Sequence, residues 1–527
     1  MVWAWLTWAM LAAPGQAADT VVVCPAAFRQ ALAPWVEHRQ SQGRRFAFVD
    51  NRRSAEEIRS AVRQAAQAGK LRAVMLVGDA APHSHADASA RAHSVPVHLA
   101  RAKVNVNWGS EPEIATDNWY ADLDDDQIPD VPVGRLTADS AAELGHIVEK
   151  ILRYERSQGA DAWRRRINLV AGLGGFGALA DTALEAAAKA ILTEGIPASY
   201  ASSMTYASWR SPYCPDPASF NQATLDRLNE GCLFWVYLGH GQRREVDLLH
   251  APGGRYRIFD VRDVPKLSAQ QGAPIALFLS CYTGAFDGAE DCLAEEMLRA
   301  DAGPVAVICG SRVTMPYAMS VLGTELLKEC FRERRTTIGE VLLEAKRNTM
   351  LKPRTDARSK ALDGLASMLN PLPGDLAEER AEHLLLFNLL GDPLLELRHP
   401  REAKLHVAAR ATAGERLEIS GDCPVEGEAT VELVVRRDRL TFQPANREGY
   451  RPSPKTFAEY LETYHKANDP RLCSTRVPVA DGRFAAELDV PANAWGDCHV
   501  RVFVQGKDDF AAGTADVEIR RATAKKK

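Results

Sequence analysis

Residues 233–241 read LFWVYLGHG and residues 275–284 read IALFLSCYTG, and these two stretches decide the fold. Each is a continuous apolar run that ends in small and polar residues. Continuous rather than alternating runs are typical of strands buried on both faces of a parallel sheet. The first run leads to His240 between two glycines, and the second leads to Cys281. We therefore predict two neighbouring parallel strands whose carboxyl ends carry these two side chains.

The same pattern continues from residue 19 to about residue 398, where short apolar runs alternate with longer amphipathic stretches. This βα repeat predicts an α/β fold with a mostly parallel sheet flanked by helices. The other apolar runs lie at residues 21–23, 46–49, 73–77, 167–171 and 305–308. A polar break near residue 159 predicts two subdomains, at 19–158 and 160–398.

The last part of the chain has a different pattern. From residue 403 apolar and polar residues alternate, as in Leu417-Glu418-Ile419, and Gly and Asp turns separate the alternating runs. Alternation of this kind predicts a small antiparallel β-sandwich over residues 403–527, with a boundary at His399-Pro400. The charged insert at residues 447–470 is predicted to be helical.

The beginning of the chain predicts export. Residues 2–13 read VWAWLTWAMLAA, a run shorter than the roughly 20 apolar residues that span a membrane. Small residues precede a cut after Ala17, so residues 1–17 are interpreted as a signal peptide. The segment lacks Lys and Arg before the apolar run, and the alternative is a buried N-terminal segment. We expect a secreted, periplasmic or surface protein, with no membrane attachment after removal of the signal.

The overall composition limits the partners. The 527 residues include 64 Lys and Arg against 69 Asp and Glu, for a net charge of −5. Nucleic-acid binding requires a concentrated basic surface, so this balance argues against nucleic acid as a partner. Protein or peptide substrates are the expected partners, and the sequence leaves the oligomeric state open.

Cys281 and His240 are candidate catalytic residues. They are 281 − 240 = 41 residues apart, room for one crossover between neighbouring strands, so both side chains are expected at one edge of the sheet. A thiolate attacks a peptide bond when an imidazole takes its proton. The N–H groups of Gly241 and Cys281 are the candidate oxyanion donors. The alternative is that both side chains are structural, and Cys309 is a rival nucleophile without a Gly-His-Gly partner.

Several ordered motifs together resemble the core of the gingipain-like cysteine peptidases. They are YLGHG at 237–241, SCYTG at 280–284, GPVAV at 303–307, LVGD at 76–79, DNWY at 117–120, VGR at 133–135 and FNLLGDP at 387–393. The resemblance implies a caspase-like α/β fold followed by an immunoglobulin-like domain. It also implies endopeptidase activity through a thioester acyl-enzyme, with the dyad carried onto His240 and Cys281.

The sequence departs from the family pattern beside the catalytic His. Gingipains place an acidic residue after the strand equivalent to residues 167–171, whereas here the turn at 172–177 reads GLGGFG. We therefore expect a backbone carbonyl to set the tautomer of His240. The missing carboxylate leaves open an alternative function, a secreted binding or adhesion protein on a catalytically degenerate scaffold.

Three residues are candidates for substrate binding. The resemblance implies an Asp in the helix after this turn that accepts a basic P1 residue, and Asp181 is the nearest match. Arg312 favours either an acidic P1 residue or a pair with Asp181. Tyr282 directly follows the candidate nucleophile.

A loop of carboxylates is a candidate metal site. Asp122, Asp124, Asp126 and Asp130 lie in the stretch DLDDDQIPD, where alternate positions can surround a hard cation with oxygen ligands. The stretch resembles the start of an EF-hand loop but lacks its Gly and its final Glu. We predict a structural calcium ion, and the alternative is a solvated acidic turn.

Two weaker motifs favour plain structure. The turn at 172–177 matches a dinucleotide fingerprint, but no acidic residue follows at the end of the next strand, so a tight strand–helix turn is favoured. His-x-His could supply two zinc ligands, but no firm third ligand accompanies it, so a polar surface loop is favoured. That loop contains His83, His85, His93 and His98.

Overall fold

The computed structural model describes residues 17–80, 92–157, 161–172, 191–369 and 376–522. The strands before residue 398 are β1 (Thr20–Val23), β2 (Phe46–Val49), β3 (Ala73–Val77), β4 (His98–Arg101), β5 (Glu113–Thr116), β6 (Val133–Leu136), β7 (Arg166–Ala171), β8 (Ala201–Tyr206), β9 (Phe234–Leu238), β10 (Leu248–Ala251), β11 (Gly254–Arg257), β12 (Ile275–Leu279), β13 (Ala306–Gly310) and β14 (Phe387–Leu390). The α-helices here are Arg29–Ser41, Ala55–Gln67, Ala141–Arg156, Phe220–Asn229, Leu293–Arg299, Pro316–Phe331, Ile338–Leu351, Ala357–Leu369 and Leu376–Leu386. One-turn helices lie at Ala26–Phe28, Asn105–Trp108, Asn118–Tyr120, Ala162–Arg165, Pro217–Ser219 and Val261–Lys266, and a π-helical turn at Ile191–Gly195.

Ten of these strands form one continuous sheet in the order β2-β1-β3-β6-β14-β13-β12-β9-β7-β8. Neighbours pair in parallel throughout, except β13 with β14, which are antiparallel. The sheet therefore consists of two parallel halves that run in opposite directions and meet at this pair. The predicted α/β class with a mostly parallel sheet is confirmed. The boundary near residue 159 between two subdomains stays a prediction. In the sheet, β14 (residues 387–390) pairs in parallel with β6 and so belongs to the half formed by β1, β2, β3 and β6.

Burial on both faces explains the continuous apolar runs. Val22 and Met75 pack into the core that contains the helices Arg29–Ser41 and Ala141–Arg156. Their neighbours Val21 and Val74 point to the opposite face, where they pack with residues of the helix Ala55–Gln67. Because successive strand residues face opposite sides, both sets must be apolar.

Polar side chains hold β6 and β14 together inside this core. Arg135 is fully buried in β6 and donates two hydrogen bonds to the carboxylate of Asp117, at 2.8 and 2.7 Å. The Asp117 N–H donates to Oδ1 of Asn388 at 2.9 Å. Lys346 donates to Oδ1 of Asn118 and to the backbone of β14. Three motifs that carry the family resemblance thus meet here and satisfy one another's buried polar groups.

The C-terminal part forms two further sheets. Its strands are β15 (Arg401–Glu402), β16 (Lys404–Val407), β17 (Arg410–Thr412), β18 (Arg416–Asp422), β19 (Gly427–Val435), β20 (Arg471–Val479), β21 (Arg483–Asp489), β22 (Gly496–Gln505) and β23 (Phe510–Arg520), with a helix at Pro454–Ala467. β16, β18 and β21 form one sheet and the others form the second. The predicted alternation is present, since buried and exposed residues alternate along β18 and β21. Residues of both sheets share one core, and assignment to the immunoglobulin-like class stays a prediction.

The C-terminal insert covers the edge of the large sheet. The side chain of Asn468 accepts from the Met204 N–H at 2.7 Å and donates to the Met204 carbonyl at 3.0 Å. Tyr464 is hydrogen-bonded to Thr205 at 2.7 Å. These groups take the place of a further strand beside β8, whose backbone would otherwise present an unpaired edge.

The cysteines form no disulfide bonds. All ten cysteines are free. Among the described residues, no helix has both the length and the apolar character needed to cross a membrane.

A buried histidine holds the segment that enters the helix Pro316–Phe331. The Met315 N–H donates to Nε2 of His383 at 2.9 Å, and Nδ1–H of His383 donates to the Glu379 carbonyl at 2.8 Å. Both ring nitrogens are thus used by the neutral ring. Burial lowers the pKa of His383 to about 4.

We expect His383 to make the protein less stable in acid. The unfolded chain binds this proton near pH 6.5, whereas the folded chain does so only near pH 4, so its contribution is present above pH 6.5 and is lost as the pH falls toward 4. The loss between pH 7 and 4.5 should be about 2 to 3 kcal/mol. Urea unfolding of the wild type and of His383→Leu at both pH values measures it. The variant is less stable at pH 7 but should have the smaller pH dependence; equal dependence in both proteins would contradict the assignment.

Candidate active site

The register between β9 and β12 sets the site. These strands pair in parallel with Leu238 opposite Leu279. His240 and Cys281 each come two residues after these paired leucines, so both lie equally far beyond the end of the sheet. The Gly239 N–H donates to the Leu279 carbonyl at 3.3 Å and extends the pairing by one residue. The two strands predicted to be neighbours are neighbours, and their loops emerge side by side.

Gly241 packs directly on the backbone of Cys281. A methyl group built on Gly241 would lie 2.5 Å from the Cys281 carbonyl oxygen and 2.9 Å from Oγ of Ser280. No side chain fits there without moving backbone. The glycine therefore allows the His-bearing loop and the Cys-bearing loop to touch.

The Cys281 sulfur lies at a sharp turn and accepts a backbone hydrogen bond. Tyr282 has φ 55°, a left-handed conformation uncommon for a residue with a side chain, and Thr283 N–H donates to the Cys281 carbonyl at 2.7 Å. The Thr314 N–H donates to the sulfur at 3.3 Å, and its hydroxyl lies 3.5 Å away. The sulfur also lies 3.6 Å from the Thr314 carbonyl oxygen, so backbone and side chain of Thr314 both contact it. Thr314 was not predicted, because nothing in its local sequence signals this contact.

Cys309, the rival nucleophile, is unsuited to the chemistry. It is fully buried in β13, and burial raises the pKa of its thiol well above the usual value. Its sulfur would lie 2.3 Å from a methyl group built on Gly284. The side chain therefore belongs to the core below the loop that carries Cys281, which is itself partly exposed.

His240 lies at the start of a tight hairpin. Gly241 pairs antiparallel with Val246, and the Gln242 N–H donates to the Glu245 carbonyl at 2.8 Å. The His240 carbonyl accepts from the Tyr237 hydroxyl at 2.8 Å and from the Asp247 N–H at 3.2 Å. These bonds hold the backbone of His240 beside the end of β9.

The predicted substrate-binding residues Tyr282 and Arg312 share an acidic neighbour, Glu111. The Tyr282 hydroxyl donates to Glu111 at 2.7 Å, and Arg243 contacts the same carboxylate at 2.8 Å. Burial opposes ionisation of Glu111, but the Tyr282 hydrogen bond and the arginines outweigh it and lower its pKa.

Arg312 itself is almost fully buried and forms a double hydrogen bond with Asp287, at 2.8 and 2.6 Å. Its partner in the described structure is therefore Asp287. Asp181, the partner considered from the sequence, lies outside the described residues. The substrate-binding roles of Asp181, Arg312 and Tyr282 stay predictions.

Three of the four predicted calcium ligands lie together. Carboxylate oxygens of Asp122, Asp124 and Asp130 are all within 4.8 Å of one another, whereas Asp126 is not part of this group. Asp122 is nearly buried, and burial raises its pKa. Arg59 contacts Asp122 at 3.1 Å, so part of the charge is already balanced.

A second carboxylate cluster consists of Asp79, Asp291 and Glu295, again within 4.8 Å of one another. Arg299 pairs with Asp291 at 2.6 Å, yet burial raises the pKa of Asp291 to about 6. The sequence gives no sign of this cluster, because Asp79 lies far along the chain from Asp291 and Glu295.

The two weaker motifs are only partly visible. His83, His85 and residues 173–177 of the glycine-rich turn lie outside the described residues. His93 stacks on Phe28 and His98 on Trp119, with ring centroids 5.3 and 4.1 Å apart. Among the described residues, neither histidine belongs to a cluster of three potential metal ligands.

Comparison with solved structures shows the gingipain fold. The Arg-specific cysteine proteinase gingipain R matches with a TM-score of 0.55 at 17% identity, over 95% of this chain and 98% of that one. The complex of pro- and mature domains of RgpB from Porphyromonas gingivalis matches with a TM-score of 0.53 at 17% identity, over 95% and 100%. A structure described as a protease matches with a TM-score of 0.54 at 14% identity, over 95% and 97%.

Comparison of the sequences gives the family. A search of the curated proteins finds no match. The model of peptidase family C25 matches residues 13–398, which include every strand of the large sheet and both candidate catalytic residues. This confirms the resemblance to the gingipain-like peptidases. The chain therefore belongs to peptidase family C25 and is a cysteine endopeptidase.

Proposed function

We propose that the protein is an exported endopeptidase that hydrolyses peptide bonds through Cys281 and His240, with proteins or peptides as substrates. The observation that carries the proposal is the register of β9 with β12, which brings the two residues to the same height on adjoining loops. The partly exposed Cys281 and the buried Cys309 support the same choice of nucleophile.

The proposed reaction has two halves. His240 takes the thiol proton, and the thiolate forms a bond to the carbonyl carbon of the substrate while the carbonyl electrons move to oxygen. The N–H groups of Gly241 and Cys281 stabilise that oxyanion. As the intermediate collapses, the C–N bond breaks, His240 gives its proton to the leaving amine, and a thioester remains. Water, deprotonated by His240, then attacks the thioester, and the thiol is regenerated with release of the acid.

We also propose a preference for a basic residue at P1. The charge of Arg312 is balanced by Asp287, and Glu111 beside Tyr282 pairs with Arg243, so neither arginine leaves an unbalanced positive charge that would repel a basic side chain. Asp181 remains the candidate that contacts the basic side chain directly. The alternative, a degenerate binding protein, is favoured only by the absence of a carboxylate in the turn at 172–177.

The dyad is tested with fluorogenic peptides that carry Arg, Lys, Asp or Ala at P1, in reductant and calcium. We expect the wild type to cleave the Arg and Lys peptides fastest. Cys281→Ala and His240→Ala should each lower kcat/KM at least about a thousandfold, because each removes a group that makes or breaks a bond. Cys309→Ala is the matched control and should keep its activity. A wild type without activity on any peptide would support the binding protein instead.

We further propose that a structural calcium ion binds between Asp122, Asp124 and Asp130. Their carboxylate oxygens lie within 4.8 Å of one another, which is compatible with one cation between them, and oxygen ligands suit calcium. A calcium ion here would balance the carboxylate charge that Arg59 does not neutralise, and would therefore stabilise the loop that precedes β6.

Thermal unfolding with calcium and with chelator tests this proposal. Saturating calcium should raise Tm by a few degrees, because a calcium concentration of a hundred times Kd adds about 2.7 kcal/mol to the free energy of unfolding. Asp124→Asn should lose this calcium-dependent rise in Tm, because it removes one of the three carboxylates. Asp126→Asn is the matched control, because Asp126 lies outside the cluster, and it should keep the wild-type shift. If Asp124→Asn keeps the full shift, calcium does not bind there.

A further inference from the structure

We propose that Asp247 orients the imidazole of His240 and thereby supplies, from a different loop, the carboxylate that gingipains place after the strand equivalent to β7. The inference rests on the proposed function, since it adds a positioning residue to the proposed catalytic pair. Three features of the described structure carry it: the register of the hairpin after β9, the place of the Asp247 carboxylate, and the engagement of the neighbouring charges.

The hairpin register puts Asp247 directly opposite His240. Gly241 is bridged to Val246, and the Gln242 N–H donates to the Glu245 carbonyl, so the turn itself is Arg243-Arg244. One step outward along the same ladder, the Asp247 N–H donates to the His240 carbonyl at 3.2 Å. Directly opposite residues of an antiparallel pair extend their side chains from the same face, with Cβ atoms about 4.5 to 5.5 Å apart. The carboxylate and the imidazole therefore share one face of the hairpin.

The carboxylate lies beside the backbone of Gly172, the first residue after β7. A methyl group built on Gly172 would be 3.4 Å from Oδ2 and 3.4 Å from Cβ of Asp247. The Cα of Gly172 in turn lies 3.1 Å from a methyl group built on Gly239, the residue before His240. The Tyr237 hydroxyl would be 2.8 Å from the methyl group on Gly172, so the glycine allows this hydroxyl to approach, and Asp247 lies beside it at ordinary contact distance.

The carboxylate is held in place by its own backbone. Oδ1 accepts from the Leu248 N–H at 2.7 Å, which fixes the side chain and leaves Oδ2 directed to the Gly172 side. Asp247 is half-buried. A fixed, charged acceptor is what an imidazole needs in order to keep one tautomer and to carry a proton.

The other charged and titratable groups around the hairpin are already engaged. Arg243 pairs with Glu111 at 2.8 Å, and Arg244 donates to the Asp291 carbonyl at 2.7 Å. The Tyr237 hydroxyl donates to the His240 carbonyl and accepts from the Asp247 N–H, and burial raises the pKa of this tyrosine. Among the described groups at this end of β9, Asp247 is the carboxylate placed to serve the ring.

The test is steady-state kinetics of Asp247→Asn over a range of pH. Loss of the charge should lower kcat about 10- to 100-fold and leave KM within about threefold, because substrate contacts are untouched. The basic limb of the kcat/KM profile, where the imidazolium of the ion pair loses its proton, should move to lower pH. A merely structural role would not move that limb.

Two further variants make the outcome decisive. Asp247→Glu keeps the charge, so its basic limb should return toward that of the wild type. Glu245→Gln, on the same hairpin but exposed, is the matched control and should behave as the wild type. A folded Asp247→Asn with the kcat and pH profile of the wild type would overturn the inference, provided that Cys281→Ala is inactive. An Asp247→Glu variant whose basic limb matches that of Asp247→Asn would overturn it too. If the wild type itself cleaves nothing, the proposed function fails, and this inference fails with it.

Discussion

The parallel register between β9 and β12 is the constraint on which the site depends. Both strands are buried on both faces, and Trp235 packs edge-on against Phe278 with ring centroids 5.4 Å apart. A slip by one residue would turn every side chain to the opposite face, which two closely packed cores do not tolerate. The relative height of His240 and Cys281, the two candidate catalytic residues, is therefore fixed by apolar packing several residues away.

This dependence explains how far the sequence could lead. A strand buried on both faces appears in the sequence as a continuous apolar run, and the carboxyl ends of parallel strands share an edge, so the two loops could be paired without knowing the sheet order. The junction of the halves could not be predicted in the same way. β14 pairs with β6 and β13 from a distant part of the chain, and Arg135 is a charged residue whose full burial is explained only by Asp117. Local pattern carries no information about such partners.

The parts of the site that the sequence missed differ in the same respect. Thr314 reaches the sulfur of Cys281, and Glu111 reaches Tyr282, across long separations in sequence, and their neighbours along the chain give no sign of either contact. Asp247 is different, because a two-residue turn at Arg243-Arg244 is a local feature. Counting outward from that turn places residue 247 opposite residue 240, so the sequence does carry a signal for this pairing.

The glycine at 172 and the aspartate at 247 are best understood as one feature. The orientation and tautomer of an imidazole depend on the position and charge of the neighbouring carboxylate. The strand or loop that supplies the carboxylate affects only the backbone that supports it. A loop that already pairs with the His-bearing segment offers such support, since its register is fixed by the same hydrogen bonds that hold His240. A side chain larger than glycine at 172 would collide with the Tyr237 hydroxyl, which would be 2.8 Å from its Cβ, whereas Asp247 would be at 3.4 Å, an ordinary contact distance. A turn after β7 without an acid is therefore compatible with a carboxylate that serves His240, because Asp247 comes from a segment that already pairs with the His-bearing loop.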